Sequence, residues 1–273
     1  MKAITTFMVA KNSHDVGWQH PNFEDKAVSY EVVHKRIGLD ATTTNGAHQV
    51  QLDSPKLVKK VRAYVRSLLN GTIPMDDVME RSYVHKNGFQ KIVLGRKSGF
   101  AMRFHRYLPG EGDQNVHDHR WSRMDSLVLE GSLPADYLAY CGPNDDGAQK
   151  WERHEYRKAG DDYIVKHRGE TYLAQDECVH HRTGELYSMD AKRLHRILPS
   201  SEPVATLVVT HPVPKERVWC NLYQQHVIEE LEPVHETRLT REQMLASLTH
   251  LERLLTQQLA RTVTAMTSAG AWA

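Results

Sequence analysis

The chain has 273 residues, enough for one large domain or a domain with substantial extensions, and either buries a proper hydrophobic core. Its formal charge at pH 7 is +1 and the basic residues are dispersed, so the electrostatic footprint of a nucleic-acid binder is absent. Three cysteines, Cys141, Cys178 and Cys220, are too few and too scattered for a disulfide framework or a structural zinc site. No run reaches the roughly 20 apolar residues of a membrane-spanning helix. The start, MKAITTFMVAKNSHD, lacks the long apolar core and cleavage site of a secretion signal, so a soluble cytoplasmic protein is expected.

Residues 1–50 carry no firm signal: MKAITTFMVA suits a strand or a short helix, and TTTNGAH reads as loop. A helix follows over 55–70. Ser54 suits the N-cap, Pro55 the first helical position, and Asn70-Gly71 the stop. Between them Leu57, Val58, Val61, Tyr64, Val65, Leu68 and Leu69 recur at helical spacing. PMDDVMERSY reads as a second, shorter helix. This extension, 1–87, is expected to pack outside a sheet.

From Gly88 the period changes to two. FQKIVLGR and AMRFHRYL read as strands joined by KSG, a turn containing glycine, and DSLVLEGSL suits a half-buried strand. Residues 141–162 are polar and rich in turn formers, which predicts an insertion or hairpin excursion on the rim. YIVKHRGETYLAQ, ECVHHRTGELYSM, LHRILPS and VATLVVTHPV complete about eight to ten short strands, the pattern of a sandwich or barrel. A mainly β domain over 88–223 is therefore expected, followed by a helical tail over 224–273. In the tail Thr240 and Gln243 form a capping box, and Met244, Leu248, Leu251 and Leu255 make an apolar stripe. That stripe reads as packing on the domain, with a homodimer element as the alternative.

Two stretches carry chemistry. In VHDHRW, His117 and His119 follow a Pro-Gly-Glu-Gly turn. Alternate side chains of an extended segment share a face, so both imidazoles leave one side and Asp118 the other. Two neutral nitrogens can then meet on one cation, and imidazole suits Zn, Fe, Cu or Ni. The chain has 17 histidines, so a pair of ordinary strand histidines is the plain alternative. The second stretch, GELYSMDAKRLH, runs from Gly184 to His195.

Together these stretches resemble the cupin family, whose motifs read G(X)5HXH(X)3-4E(X)6G and G(X)5PXG(X)2H(X)3N. After four intervening residues from His119 the spacing reaches Met124, and six more lead on to Gly131. From Gly184 the second spacing reaches Asp190 and Lys192 in the proline and glycine places, then His195 in the histidine place. Met124 replaces the ligand glutamate, the leading glycine (Gly110 or Gly112) is off by one, and Pro199 stands for the terminal asparagine. The resemblance spans about residues 100–212. It implies a cupin double-stranded β-helix, or jelly roll, with a metal held by His117, His119 and His195.

Three histidines without a carboxylate resemble the iron sites of thiol dioxygenases and related cupin oxygenases, and also a catalytic zinc with one open position. On family grounds Fe(II) is expected; ligand chemistry alone does not separate it from Zn, Ni or Mn. No organic cofactor is expected. Asp125 is one residue from Met124, which turns it to the opposite face. Met124 also stands where a thiol dioxygenase often has its crosslinking cysteine, which puts cysteine as substrate in doubt.

Strand parity selects the neighbours. Arg103, His105 and Tyr107 share one face of AMRFHRYL and are assigned to a cavity as the catalytic group, with solvent as the alternative surroundings. Trp121, Met124, Ser126 and Arg193, with Arg103, are assigned to substrate. His180 or His181 is expected as polar lining, and Arg217 with Trp219 as a rim contact. The expected activity is a mononuclear oxygenase acting with O2 on a small polar, anionic metabolite, without nucleic acid, membrane or 2-oxoglutarate. A redox-neutral isomerase, lyase or decarboxylase, or a non-catalytic ligand-binding cupin, is the alternative.

Overall fold

Alternation of period two from Gly88 onward becomes two antiparallel sheets in the computed structural model. It describes residues 42–44, 47–49, 51–85, 88–159, 162–216, 219–227 and 237–270. The stretch MKAITTFMVA lies outside the described residues. TTTNGAH is not a plain loop: β1 (Thr42–Thr44) pairs with β2 (Ala47–Gln49), Thr44 opposite Ala47. The sequence signal is the Asn-Gly between the two runs, a favoured hairpin dipeptide.

Helix α1 (Pro55–Leu69) begins after Ser54, with Pro at its start and no side-chain cap, and the chain leaves it through Gly71 at φ 75°. The short α2 (Asp76–Arg81) follows, with Asp76 and Asp77 favourably placed in its first turn. The strands then run β3 (Tyr83–Val84), β4 (Gln90–Lys97), β5 (Phe100–Tyr107), β6 (Val116–His117), β7 (Arg123–Glu130) and β8 (Ser132–Tyr140). After them come β9 (Gln149–Ala159), β10 (Asp162–Arg182), β11 (Leu186–Asp190), β12 (Leu194–Ile197), β13 (Val204–Thr210), β14 (Cys220–Gln224) and β15 (Thr237–Arg238). Helix α3 (Arg241–Gly270) ends the described chain. The β4–β5 turn has both central residues, Ser98 and Gly99, at positive φ, the type I′ geometry that matches strand twist.

One sheet has the order β11-β7-β13-β5-β4-β3-β15. The last two strands at one side, β3 and β15, come from the leading extension and the tail, so boundaries at 87 and 224 cut through a single sheet. The other has the cyclic order β10-β8-β12-β6-β14-β9. It closes because the 21-residue β10 pairs with β9 along its first half and with β8 along its second. Residues 141–162 are therefore not an excursion on the rim: β9 occupies half of them and bridges β10 and β14. Its polar composition is accommodated by pairing, Glu152 with His167 at 2.8 Å and Glu155 with Arg168 at 2.6 Å, while Trp151 and His154 are buried.

The main core lies on the outer side of the first sheet. Val58, Val61 and Val65 of α1 and Leu248, Leu251 and Leu255 of α3 cover Ile92, Leu94, Met102, Phe104, Leu127 and Leu207. Burying such side chains stabilises by about 1.5–3 kcal/mol each, which anchors both helices. The expected capping box is present: the Thr240 amide donates to Gln243 Oε1 at 2.9 Å, and the Gln243 amide to Thr240 Oγ1 at 3.1 Å. Among the described residues no helix is long and apolar enough to cross a membrane.

Gly131, the closing glycine of the first histidine motif, turns β7 into β8 at φ 75°. A Cβ there would lie 2.3 Å from the Pro203 carbonyl oxygen. Gly131→Ala is expected to destabilise by about 2–5 kcal/mol, through left-handed strain plus overpacking, read as a lowered urea midpoint. An unchanged midpoint would contradict this account of the turn.

Candidate metal centre

His117 on β6 and His195 on β12 are direct cross-strand partners, and His119 follows just beyond the end of β6. One ligand nitrogen from each of the three lies within 4.8 Å of the others, and the Nε2 atoms of His119 and His195 are 3.3 Å apart. Backbone carbonyls orient two of the rings: His117 Nδ1 sits 3.2 Å from the Asn115 oxygen and His195 Nδ1 3.0 Å from the Arg193 oxygen. A carbonyl only accepts, so each Nδ1 carries its proton and each Nε2 keeps a lone pair. Trp121 stacks on His119 at 3.7 Å. Asp118, pointing the other way, accepts from the Asn221 amide at 2.7 Å and from Asn221 Nδ2 at 2.6 Å, pinning the short motif to β14.

Electrostatics favour neutral imidazoles. Burial, reinforced by His117 and His195, holds His119 well below the ordinary histidine range. Burial and then His117 push His195 down to about 4. Three lone pairs gathered on one wall, two of them in a fixed tautomer, suit a divalent cation that accepts nitrogen donors. No carboxylate belongs to this cluster among the described residues.

The histidines open on a cavity of about 810 Å³ between the sheets. Arg103, His105 and Tyr107 line it, while Met102 and Phe104 on the other face of β5 belong to the main core. Arg103 Nε and His105 Nε2 are buried with no hydrogen-bond partner among the described residues. The carboxylates nearest in sequence are engaged elsewhere: Glu111 accepts from the Leu108 amide at 2.7 Å and Asp113 from the Ile197 amide at 2.8 Å. Burial lowers Arg103 to about 10, with Arg96 opposing its charge further. Burial, then Lys91 and Arg103, push His105 far down, so its ring is neutral. Tyr107 is pushed up by burial and then by Asp113, and keeps its proton.

Trp121 and Met124 also line the cavity. Ser126 shares their side of the sheet but is fully buried between Tyr187 and Val208, its cross-strand partners, and is not a lining residue. Arg193 is not brought to the cavity. It precedes β12, pairs with Asp176 at 2.6 Å and Glu177 at 2.9 Å, and covers the Tyr137 ring at 5.0 Å. Parity with His195 fails because Arg193 lies outside the strand, next to carboxylates at the register shift in β10. Of the adjacent pair, His180 is exposed and His181 buried. His181 stacks on Tyr187 at 3.8 Å and joins Tyr137 Oη at 3.1 Å to Glu185 at 2.6 Å. Trp219 packs against Arg157 and Lys166 at 5.0 and 4.8 Å, and Arg217 lies outside the described residues.

Sequence reasoning passed over Lys91 and Tyr137, both of which line the cavity. Lys91 stands opposite His105 across β4 and β5, and Tyr137 opposite His195 across β8 and β12. The signal for Lys91 was its alternation with Ile92 and Leu94, a polar residue on the face away from the helices. Tyr137 becomes visible only once the pairing of β8 with β12 is known.

Asp125 behaves as its parity requires. It turns from the cavity and receives His211 Nε2 at 2.7 Å, Arg123 Nε at 2.8 Å and Ser188 Oγ at 2.6 Å. Burial alone would raise its carboxyl, but these donors outweigh burial and hold it below the usual range. The unfolded value is near 3.9, so the ionised group contributes stability that is full above that pH and is lost as pH falls through its lowered folded value. Asp125→Asn should cost about 1–3 kcal/mol at pH 7, because buried His211, partly exposed Arg123 and exposed Ser188 lose the anion they donate to. It should also flatten the loss of stability in acid, as read from urea midpoints across pH; a variant with wild-type midpoints would contradict this.

The strands form a double-stranded β-helix in which His117 ends β6, His119 lies just past it and His195 stands on the antiparallel neighbour β12. No family model matches the sequence, and no curated protein matches it. Among solved structures, the chain is similar to a cupin superfamily protein from Desulfitobacterium hafniense at 11% identity, covering 47% of this chain and 81% of that one, TM-score 0.28. It is similar to a conserved protein with a double-stranded β-helix domain from Klebsiella pneumoniae at 14% identity, covering 54% and 95%, TM-score 0.30. A hydroquinone 1,2-dioxygenase in complex with Cd2+ and 4-hydroxybenzonitrile is 14% identical over 55% of this chain and 77% of that one, TM-score 0.31. At such TM-scores the fold rests on the strand pairing and the histidine register.

Proposed function

We propose that the protein is a mononuclear metal-dependent enzyme of cupin type, an Fe(II) oxygenase acting on a small anionic metabolite without 2-oxoglutarate. The observation that carries this reading is the convergence of three imidazole nitrogens within 4.8 Å on the wall of a cavity. When bound, iron supplies redox chemistry with O2, which zinc lacks. The chain's own residues do the rest. Arg103, buried at Nε without a counter-charge, binds and orients an anion through its guanidinium fork. Trp121 and Met124 line the space beside the histidines and offer an apolar surface to the substrate. Neutral His105 and protonated Tyr107 offer hydrogen bonds along the same strand. Among the described residues no carboxylate joins the three histidines, which supports a reading without 2-oxoglutarate.

A redox-neutral Lewis-acid enzyme is the second reading, favoured by the same donor set because three histidines also make a catalytic zinc site. Oxygen-electrode measurements separate the two. Protein reconstituted anaerobically with Fe(II) should consume O2 with one member of a pool of organic acids and no 2-oxoglutarate, and the zinc form should not. Turnover that runs equally well under argon, or with zinc, would sink the oxygenase reading.

A further inference from the structure

The charge and the shape of the cavity ask for different things. Its volume, about 810 Å³, lies in the range of sites that enclose drug-sized ligands and exceeds what a metabolite of two or three carbons fills. Two apolar clusters wall it. One holds Met124 and its cross-strand partner Met189, with Val208 and Trp121; the other holds Phe89 and Tyr107, with rings 4.6 Å apart, and Leu133. Tyr187 and Ile197 pack against both. On the strand between them sit the buried, unpartnered Arg103 Nε and His105 Nε2; Val208 faces Arg103 across β13 and β5, and Phe89 lies 5.0 Å from the His105 ring. The lining carboxylates do not answer that charge: Asp77 and Glu80 belong to α2, Asp113 holds the Ile197 amide, and no ion pair joins any of them to Arg103 among the described residues.

A small polar anion would satisfy Arg103 and leave the apolar walls in contact with water. A neutral apolar ligand would do the reverse and leave the buried Arg103 Nε without a partner. Aromatic faces and methionine sulfurs favour a ring as the apolar part, since both make directional contacts with one. Resting on the reading of this cavity as a substrate site, we infer that its ligand is an aromatic organic anion: a carboxylate or similar charged head on Arg103 and His105, with an aryl body between the two apolar walls. This narrows the substrate from a small polar metabolite to an arylcarboxylate-like class.

Binding with defined probes tests this without turnover. Phenylacetate, acetate and phenylacetamide would be titrated by calorimetry into the metal-loaded and the metal-stripped protein, with metal content measured on the same samples. Phenylacetate should bind at least about 30-fold more tightly than acetate, the effect of burying an aryl group. It should bind at least about tenfold more tightly than its neutral amide, the effect of a charge-assisted hydrogen bond. Arg103→Gln should erase the preference over the amide and Arg103→Lys retain part of it, with thermal unfolding of each apo variant confirming the fold. Acetate binding as tightly as phenylacetate, or the amide as tightly as the acid, would overturn the inference. So would phenylacetate affinity that survives Arg103→Gln and vanishes on metal removal, since the carboxylate would then sit on the metal. A protein that binds phenylacetate through Arg103 but retains no metal would defeat the proposed function and leave this inference standing.

Discussion

Alanine at His117, His119 or His195 should each reduce retained metal from one ion per chain to a small fraction, measured by elemental analysis after purification without chelators. Two imidazoles hold a divalent ion far less tightly than three; even altering a residue behind a ligand weakens metal affinity by about 10–100-fold. Folding should survive, because the core anchored by α1 and α3 lies on the far side of the first sheet from the histidines. The thermal midpoint of each apo variant should therefore stay close to that of metal-free wild type. Full occupancy in any of the three would remove that residue from the site. A parallel loss in His181→Ala would contradict the ligand set, since His181 is engaged with Tyr137 and Glu185 instead.

Arg103→Ala should reduce kcat/KM by the equivalent of about 2–5 kcal/mol where substrate binding desolvates the pair, because the substrate anion loses its guanidinium partner. Metal content should be unaffected, since Arg103 is on β5 and the ligands are on or beside β6 and β12. Arg103→Lys should raise KM more than it lowers kcat: lysine keeps the charge but loses the two-pronged geometry. Kinetics unchanged in the alanine variant would end the assignment of Arg103 to substrate.

Much of the architecture was legible because strand period and motif spacing are local properties. The helix at 55–69, the capping box at Thr240 and the two histidine stretches are each written in a few neighbouring residues. His195 was found even though Asp190, Lys192 and Pro199 depart from the second motif, because the spacing, not the departed residues, puts it beside His117. Alternation alone separates Met102 and Phe104 from Arg103, His105 and Tyr107 on β5, but leaves cavity and solvent open for the second face, which the facing sheet decides. Where the reading failed, the cause was non-local. Residues 149–159 are polar along the chain, yet ion pairs to β10 let them serve as a barrel strand. Parity does not carry to Arg193, which lies before the first residue of β12, where a turn releases it to Asp176 and Glu177. Ser126 has the right face but the wrong depth, since Tyr187 and Val208 flank it across the strands. Tyr137 enters the cavity wall through a pairing between strands far apart in sequence, which no local pattern announces.

The central claim is that a divalent metal is bound by three histidines and no protein carboxylate. X-ray absorption at the metal edge, on protein loaded with a single equivalent and free of added anions, tests it most directly. The account predicts three imidazole ligands in wild type and two or fewer in His195→Ala. A spectrum with a sulfur ligand, with protein carboxylate ligands, or unchanged between wild type and His195→Ala would contradict it.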